Sequence, residues 1–196
     1  MSAVTAAAPT GGYFDAALQS QAIRLLPADY LVTDQPVALV TLLGSCVAAC
    51  LYDPALGLGG MNHFMLPGGQ TNDASCARYG ANAMELLIND LLKRGAKRQR
   101  LQAKVFGGGN VLSGFHSDPI GTRNASFVID YLAAEKIPVL AKDLGDNQAR
   151  KVGFFVQTGR SFVKRLPATR DEVVDAERAL YGRLARAPAA GTVELF

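Results

Sequence analysis

The chain has few cysteines and few histidines for its length. Its 196 residues include three cysteines, Cys46, Cys50 and Cys76, and two histidines. An odd number of cysteines without a CxxC pair indicates no disulfide framework and offers no ligand cluster for a metal ion. The N-terminal segment also lacks the basic start and the apolar run of a secretory signal peptide. We therefore expect a reduced, cytoplasmic protein without a bound metal.

Long apolar runs are missing as well. The stretch closest to a membrane span is 37–52, and Thr41, Gly44 and Ser45 interrupt it. A transmembrane helix needs about 20 consecutive apolar residues. The segment instead predicts two buried strands joined by a turn. We expect no membrane insertion, so a partner embedded in a membrane would be met at its cytosolic portion.

A strong excess of one charge is also absent. The net charge of +3 is too small to indicate a nucleic-acid partner. Six cations nevertheless concentrate in one segment without aromatic residues among them: Lys93, Arg94, Lys97, Arg98, Arg100 and Lys104. They are either the solvated end of a helix, where cations complement the dipole, or a patch that steers an acidic partner.

The hydrophobic content of 49% is sufficient for one substantial core, so a single domain is expected. We predict a disordered leader over 1–12, the domain over 13–166 and a helical tail over 167–196. Strand and helix patterns alternate in the domain: strands 37–43, 47–52 and 58–66, helix 74–94, strand 101–106, helix 122–135, strand 138–142, and a hairpin of 152–156 with 161–165. This order predicts an α/β sandwich with helices packed on a mixed β-sheet.

Cys46 is the candidate nucleophile. A free cysteine beside Leu43 and Val47 is usually a small buried residue, and Cys50 fits that description. Before Cys46, however, Gly44 and Ser45 favour an abrupt change of direction. Such a turn presents the next side chain and directs backbone N–H groups toward an oxyanion. A thiol in that place becomes a nucleophile when an imidazole takes its proton.

The choice of base lies between His63 and His116. His63 is seventeen residues after Cys46, beyond a turn that can bring its strand back beside the first. Taken alone, it would be a structural histidine about as often as a base. Nothing near His116 supplies a nucleophile, so we rank it lower.

A glycine run, Gly107-Gly108-Gly109, follows a predicted strand. It lacks the spacing and the lysine of a phosphate-binding loop and does not match GxGxxG, so nucleotide binding is not expected. A tight turn that lets a substrate backbone approach closely is the simpler interpretation.

Six short motifs follow one another along the chain: LGSCVA at 43–48, LYD at 51–53, GMNHFMLP at 60–67, KVFGGGN at 104–110, IGTRN at 120–124 and DLGDNQARK at 143–151. Together they resemble the CheD family, the chemoreceptor glutamine deamidases of bacterial chemotaxis. The similarity spans roughly residues 25–165 and keeps the order that the family shows. In one place the chain departs from the family, because Gly145-Asp146 stands where two glycines are usual, which removes one position free to adopt positive φ.

The resemblance implies a function and a set of roles. The family nucleophile falls on Cys46, the base on His63 and the residue that orients the imidazole on Thr41. It also implies a fold related to the catalytic domain of the cytotoxic necrotizing factor toxins and a reaction that needs no cofactor. Residues expected to line the oxyanion or substrate site are Gly44, Ser45, Asn62, Gly107 and Gly108.

The implied substrate is the cytoplasmic helical region of chemoreceptors, with a CheC-type phosphatase as a further partner. A Cys-His pair alone would serve a cysteine peptidase or a transglutaminase equally well, so only the resemblance selects deamidation. An alternative from another class is a non-catalytic module that regulates a CheC-type phosphatase or a receptor by binding it.

Overall fold

A computed structural model describes residues 12–66, 74–111 and 120–166, together with the isolated positions 175, 179 and 182. Almost all of the expected leader and tail, His116 and the side chain of Cys76 lie outside the described residues.

The described residues form ten strands and two α-helices. Their bounds in chain order are β1 Tyr13–Asp15, β2 Ser20–Arg24, β3 Tyr30–Thr33, β4 Ala38–Leu43, β5 Val47–Asp53, β6 Leu58–Asn62, α1 Ala74–Lys93, β7 Gln102–Gly107, α2 Ile120–Ala134, β8 Val139–Leu144, β9 Arg150–Phe155 and β10 Arg160–Arg165. A short 3-10 turn covers Arg98–Arg100.

The strands build two mixed five-stranded sheets. Sheet A has the order β1-β2-β4-β9-β10, and sheet B has the order β3-β6-β5-β7-β8. Only β2 with β4 and β7 with β8 run parallel among the named strand pairs of the described residues. Both helices pack on sheet B. The expected α/β class is confirmed, with a sandwich made of two sheets and a helical layer.

Alternation along the strands separates two cores. One set of side chains fills the space between the sheets, with Leu39 and Leu43 from β4 meeting Cys50 and Phe154. The other set, which includes Leu51, lies between sheet B and the helices. Strand β5 is buried along its whole length because it contributes to both cores.

The predicted turn between β4 and β5 is where the chain passes from sheet A to sheet B. Only three residues, Gly44, Ser45 and Cys46, connect the two strands. The candidate nucleophile therefore lies at one of the places where the chain crosses between the two sheets, and this crossing is very short.

Three of the six cations around the end of α1 are paired with carboxylates. Arg94 bonds Asp90 at 2.9 Å, and Arg98 forms an ion pair with Glu135. The Arg100 guanidinium binds the buried Asp53 at 2.6 Å and holds the pKa of that carboxyl below its usual value. These pairs favour the solvated helix end over a steering patch.

At Gly145-Asp146, where the chain has one glycine fewer than the family, both residues adopt positive φ, 81° for Gly145 and 68° for Asp146. Aspartate is one of the residues that tolerates this region, because its short side chain bonds the local backbone. Here the Asp146 carboxylate accepts from the Asn147 N–H at 2.7 Å. Asp146 thus adopts positive φ without a glycine at that position.

Candidate active site

Strand alternation directs Thr41, Cys46 and His63 into the space between the sheets. Thr41 points to the same side of β4 as Leu39 and Leu43, which belong to the core between the sheets. Cys46 is itself a member of that core. His63 lies between Met61 and Met65, which are in that cluster as well. All three side chains are buried, with exposures of 0%, 0% and 2%.

A single bridge aligns the strand of Cys46 with the strand of His63. Val47 and Phe64 exchange two backbone hydrogen bonds, each 2.9 Å long. In this antiparallel register Cys46 faces Met65, and His63 is the diagonal neighbour of Cys46 on the same face. Diagonal neighbours have Cα atoms about 7–8 Å apart and can interact through long or aromatic side chains.

The Thr41 hydroxyl determines the tautomer of His63. Its Oγ1 lies 2.8 Å from His63 Nδ1 and 2.9 Å from the Leu25 carbonyl oxygen. A carbonyl only accepts, so the single hydroxyl hydrogen is donated to Leu25, and Oγ1 accepts from Nδ1–H. This network assigns the proton to Nδ1 and leaves a lone pair on Nε2.

That second nitrogen is buried and, among the described residues, hydrogen-bonds to none. Burial lowers the pKa of His63 to about 3, while the Leu25 carbonyl acts in the opposite direction with a smaller effect. The ring is therefore neutral near neutral pH. Buried polar atoms without partners are rare in native proteins and often have a chemical role. Here the neutral ring offers a proton acceptor on the residue diagonal to Cys46.

A segment that the sequence analysis did not single out holds the backbone of His63. Its N–H donates to the Asp29 carbonyl at 2.9 Å, and the Ala28 N–H donates to the His63 carbonyl at 2.8 Å. Ala28 has a φ of 77°, which is costly for alanine. Together with Leu25, this segment holds both the ring and the backbone of the histidine, and no periodic pattern marks it in the sequence.

The glycine run supports the turn that carries Cys46. Gly108 N–H donates to the Cys46 carbonyl at 2.8 Å, and Gly109 N–H donates to the Gly44 carbonyl at 2.7 Å. Gly107 has a φ of 111°, and a Cβ there would lie 2.2 Å from the Cys46 carbonyl oxygen. The predicted tight turn is present. The backbone that approaches it closely is that of Cys46, whereas the sequence suggested a substrate backbone.

Asn62 does not share the surroundings of the thiol. Its Oδ1 accepts from the Ala49 N–H at 2.9 Å, and its Nδ2 donates to the Ala83 carbonyl of α1 at 3.1 Å. The carboxamide thus faces the helical layer rather than the inter-sheet space.

Two further buried polar residues were missed in the sequence. Asn124 of α2 donates to the Ser45 carbonyl at 2.7 Å and accepts from the Leu66 N–H at 2.8 Å. The guanidinium of Arg150 bonds the Asp143 side chain and the Gly145 carbonyl, and so ties that loop together. Both residues lie within motifs that the resemblance identified, yet only tertiary contacts reveal what they bond.

Cys50 is a core residue, as expected. It is fully buried between the sheets, and burial raises the pKa of its thiol. Among the described residues, no cluster of three or more His, Cys, Asp or Glu could hold a metal ion. None of the helices within them has the length and apolar character needed to cross a bilayer.

Comparison with known proteins gives the chain a family. The family model described as CheD chemotactic sensory transduction matches residues 65–165. A relative from Xanthomonas campestris pv. campestris (strain B100), named "Probable chemoreceptor glutamine deamidase CheD", is 60% identical and covers 94% of this chain and 93% of its own. The chain is a member of the CheD family.

Other CheD relatives show similar agreement. The Stenotrophomonas maltophilia (strain K279a) protein of the same name is 59% identical over 94% of this chain and 93% of its own length. A Dechloromonas aromatica (strain RCB) protein, "Probable chemoreceptor glutamine deamidase CheD 1", is 50% identical over 95% of this chain and 94% of its own.

Solved structures resemble this CheD chain only distantly. The Bacillus licheniformis hypothetical protein YfiH has a TM-score of 0.38 at 15% identity and covers 58% of this chain and 49% of its own. A Neisseria meningitidis protein has a TM-score of 0.41 at 12% identity and covers 61% of this chain and 54% of its own.

Proposed function

We propose that this CheD family member hydrolyses selected glutamine side chains of chemoreceptors to glutamate through a thioester on Cys46. One observation carries the proposal: the Thr41 hydroxyl holds His63 with Nδ1 protonated, and the buried Nε2 belongs to the diagonal neighbour of Cys46. The names of the CheD relatives support a glutamine carboxamide as substrate and a chemoreceptor as its carrier.

The reaction begins with proton transfer from Cys46 to Nε2 of His63. A thiolate isolated in a buried site is costly, so we expect the transfer to accompany attack on the carboxamide carbon. A C–S bond forms, and the carbonyl oxygen takes the negative charge. The proposed donors to this oxyanion are the N–H groups of Ser45 and Cys46.

The second half returns the enzyme to its starting state. Protonated His63 gives its proton to the departing nitrogen, the C–N bond breaks and ammonia leaves. His63 then takes a proton from a water molecule, which attacks the thioester carbon. The thiolate leaves and is reprotonated, and the side chain becomes glutamate. The sum is glutamine plus water giving glutamate plus ammonia, with no cofactor required.

The experiment uses the full chain and a chemoreceptor cytoplasmic fragment, with glutamine-to-glutamate conversion located by peptide mass spectrometry. We expect conversion by the wild type and none by Cys46→Ser. His63→Ala should lose on the order of 10²-fold or more in rate. Cys50→Ala is the matched control, because it removes a buried thiol of the same inter-sheet core, from the strand that directly follows Cys46.

Conversion that persists in Cys46→Ser contradicts the proposed mechanism. If the wild type binds the fragment without converting any glutamine, the non-catalytic module is the better hypothesis. The CheC-type partner stays a prediction, which binding measurements with such a phosphatase would test.

A further inference from the structure

The hydrogen-bond ladder around Cys46 is interrupted in a specific way. In an antiparallel pair, residues that exchange two backbone bonds alternate with residues that exchange none. Val47 and Phe64 are such a bonded pair. The next bonded pair toward the turn would therefore join Ser45 to Leu66, with Cys46 and Met65 between.

At this position a side chain replaces the backbone bond. The Leu66 N–H donates to Asn124 Oδ1 at 2.8 Å, and Asn124 Nδ2 donates to the Ser45 carbonyl at 2.7 Å. A carboxamide has the same donor and acceptor as a peptide group, so it completes the ladder. It also holds the two strands apart by its own width, directly beside Cys46.

The helix that carries Asn124 is itself braced against the turn. A Cβ on Gly121, in the first turn of α2, would lie 2.4 Å from the Gly109 carbonyl oxygen. Gly109 in turn bonds Gly44. Asn124 is fully buried, as are Val128 and Leu132 one and two turns later. The carboxamide is thus held by a packed helix and cannot swing away to solvent.

From this geometry we propose that Asn124 is a positioning residue that sets the separation between the strand of Cys46 and the strand of His63. The inference rests on the proposed function, because it assigns a task to Asn124 within the same reaction. Without the carboxamide, Leu66 N–H and the Ser45 carbonyl would close to a direct bond, and Cys46 would shift relative to His63. A misplacement of about 1 Å can cost on the order of 10²-fold in rate.

The main test compares Asn124→Ala with Val128→Ala in the full chain. Val128 is buried on the same side of α2, so its truncation removes packing but neither of the two bonds. We expect Asn124→Ala to lower kcat on a receptor fragment on the order of 10²-fold and to change KM less than about threefold. Val128→Ala should change kcat less than about threefold at a comparable loss of thermal stability.

Asn124→Asp gives a second readout that loss of packing would not produce. As a carboxylate, the new side chain still accepts from Leu66 N–H, but it sets a charged oxygen against the Ser45 carbonyl. Once protonated, its O–H donates to Ser45 and restores both bonds, and burial makes this protonation accessible by raising the carboxyl pKa. The kcat of the variant relative to wild type should therefore rise by on the order of tenfold between pH 8 and pH 5.

Two results would overturn the proposal: equal kcat for Asn124→Ala and Val128→Ala, or a pH-independent ratio for Asn124→Asp. If Asn124→Ala does not fold, the pH series of Asn124→Asp decides the question alone. Failure of the proposed function is a separate outcome, since it appears as activity remaining in Cys46→Ser whatever the Asn124 variants do.

Discussion

Thr41 uses its hydroxyl in two directions at once, toward the Leu25 carbonyl and toward His63 Nδ1. A strand threonine is ordinarily present for its β-branched shape, and valine would serve as well. Here the hydroxyl accepts from one ring nitrogen of His63, which valine could not do. In the mechanism that we propose, Thr41 acts on the reaction only through the histidine.

Thr41→Val should therefore keep the fold and lower kcat by on the order of tenfold, which is less than the loss in His63→Ala. Thr41→Ser keeps both hydrogen bonds with a looser χ1 and should retain more activity than the valine variant. Rates on a receptor fragment, with circular dichroism as the check on folding, measure the difference. Full activity for valine together with low activity for serine would mean that Thr41 supplies packing.

At the scale of elements, the loop after β7 and the turn after β4 depend on each other. Gly107→Ala combines a φ of 111° with a Cβ placed 2.2 Å from the Cys46 carbonyl oxygen. Gly95→Ala is the matched control, since Gly95 has a φ of 98° but its nearest atom is 4.0 Å from the Cβ position. The control isolates the cost of the backbone angle, about 1–2 kcal/mol.

Gly107→Ala should cost at least about 2 kcal/mol more than Gly95→Ala in free energy of unfolding, because backbone atoms must move to admit the methyl group. It should also lower deamidation more than Gly95→Ala does. Urea unfolding and initial rates measure the two effects. Equal destabilisation by both variants would show that the loop can shift away from the Cys46 turn without cost.

Elements with a local signal could be predicted from the sequence. The β5–β6 hairpin, α1 and the β9–β10 hairpin match the predicted segments within a few residues. Strands β1, β2 and β3 were not predicted. In β2 only Ala22 is buried, and the strand exists because it pairs in parallel with the distant β4. Pairing of that kind leaves no periodic pattern to detect.

The site was predictable to a similar degree. A turn was expected before Cys46, but the passage between two sheets was not, because β4 and β5 are buried almost throughout and so lack a polar face. Asn124 is far from Ser45 in sequence, and their bond depends on how α2 packs. The residue types indicated the chemistry, whereas the hydrogen bonds that position the site residues depend on tertiary contacts.

For the whole molecule, the buried imidazole links stability to pH. His63 has a pKa of about 3 in the folded protein, against the ordinary value of 6.5 in an unfolded chain. Between these values the unfolded chain binds a proton that the native protein does not. The contribution of neutral His63 to stability is therefore fully present above pH 6.5, and it is lost as the pH falls toward 3.

At 1.36 kcal/mol per pH unit, acidification from pH 7 to pH 5 should remove about 2 kcal/mol through His63 alone. Over the same pH range, the free energy of unfolding of His63→Gln should fall by about 2 kcal/mol less than that of the wild type. Urea unfolding at pH 7, 6 and 5 provides the comparison, and the second histidine cancels because both proteins contain it. Parallel curves for wild type and variant would mean that His63 binds its proton equally well in the native and the unfolded state.

The joining of the two sheets at Cys46 also bears on when the chain acquires its chemistry during translation. Thr41 lies on β4, and its antiparallel neighbour β9 is among the last described strands to be synthesised. Until β9 leaves the ribosome, β4 has one open edge, and we expect it to hold Thr41 and the histidine ring less firmly. If the proposed mechanism holds, the thiol of the nascent chain should react slowly until β9 has been synthesised.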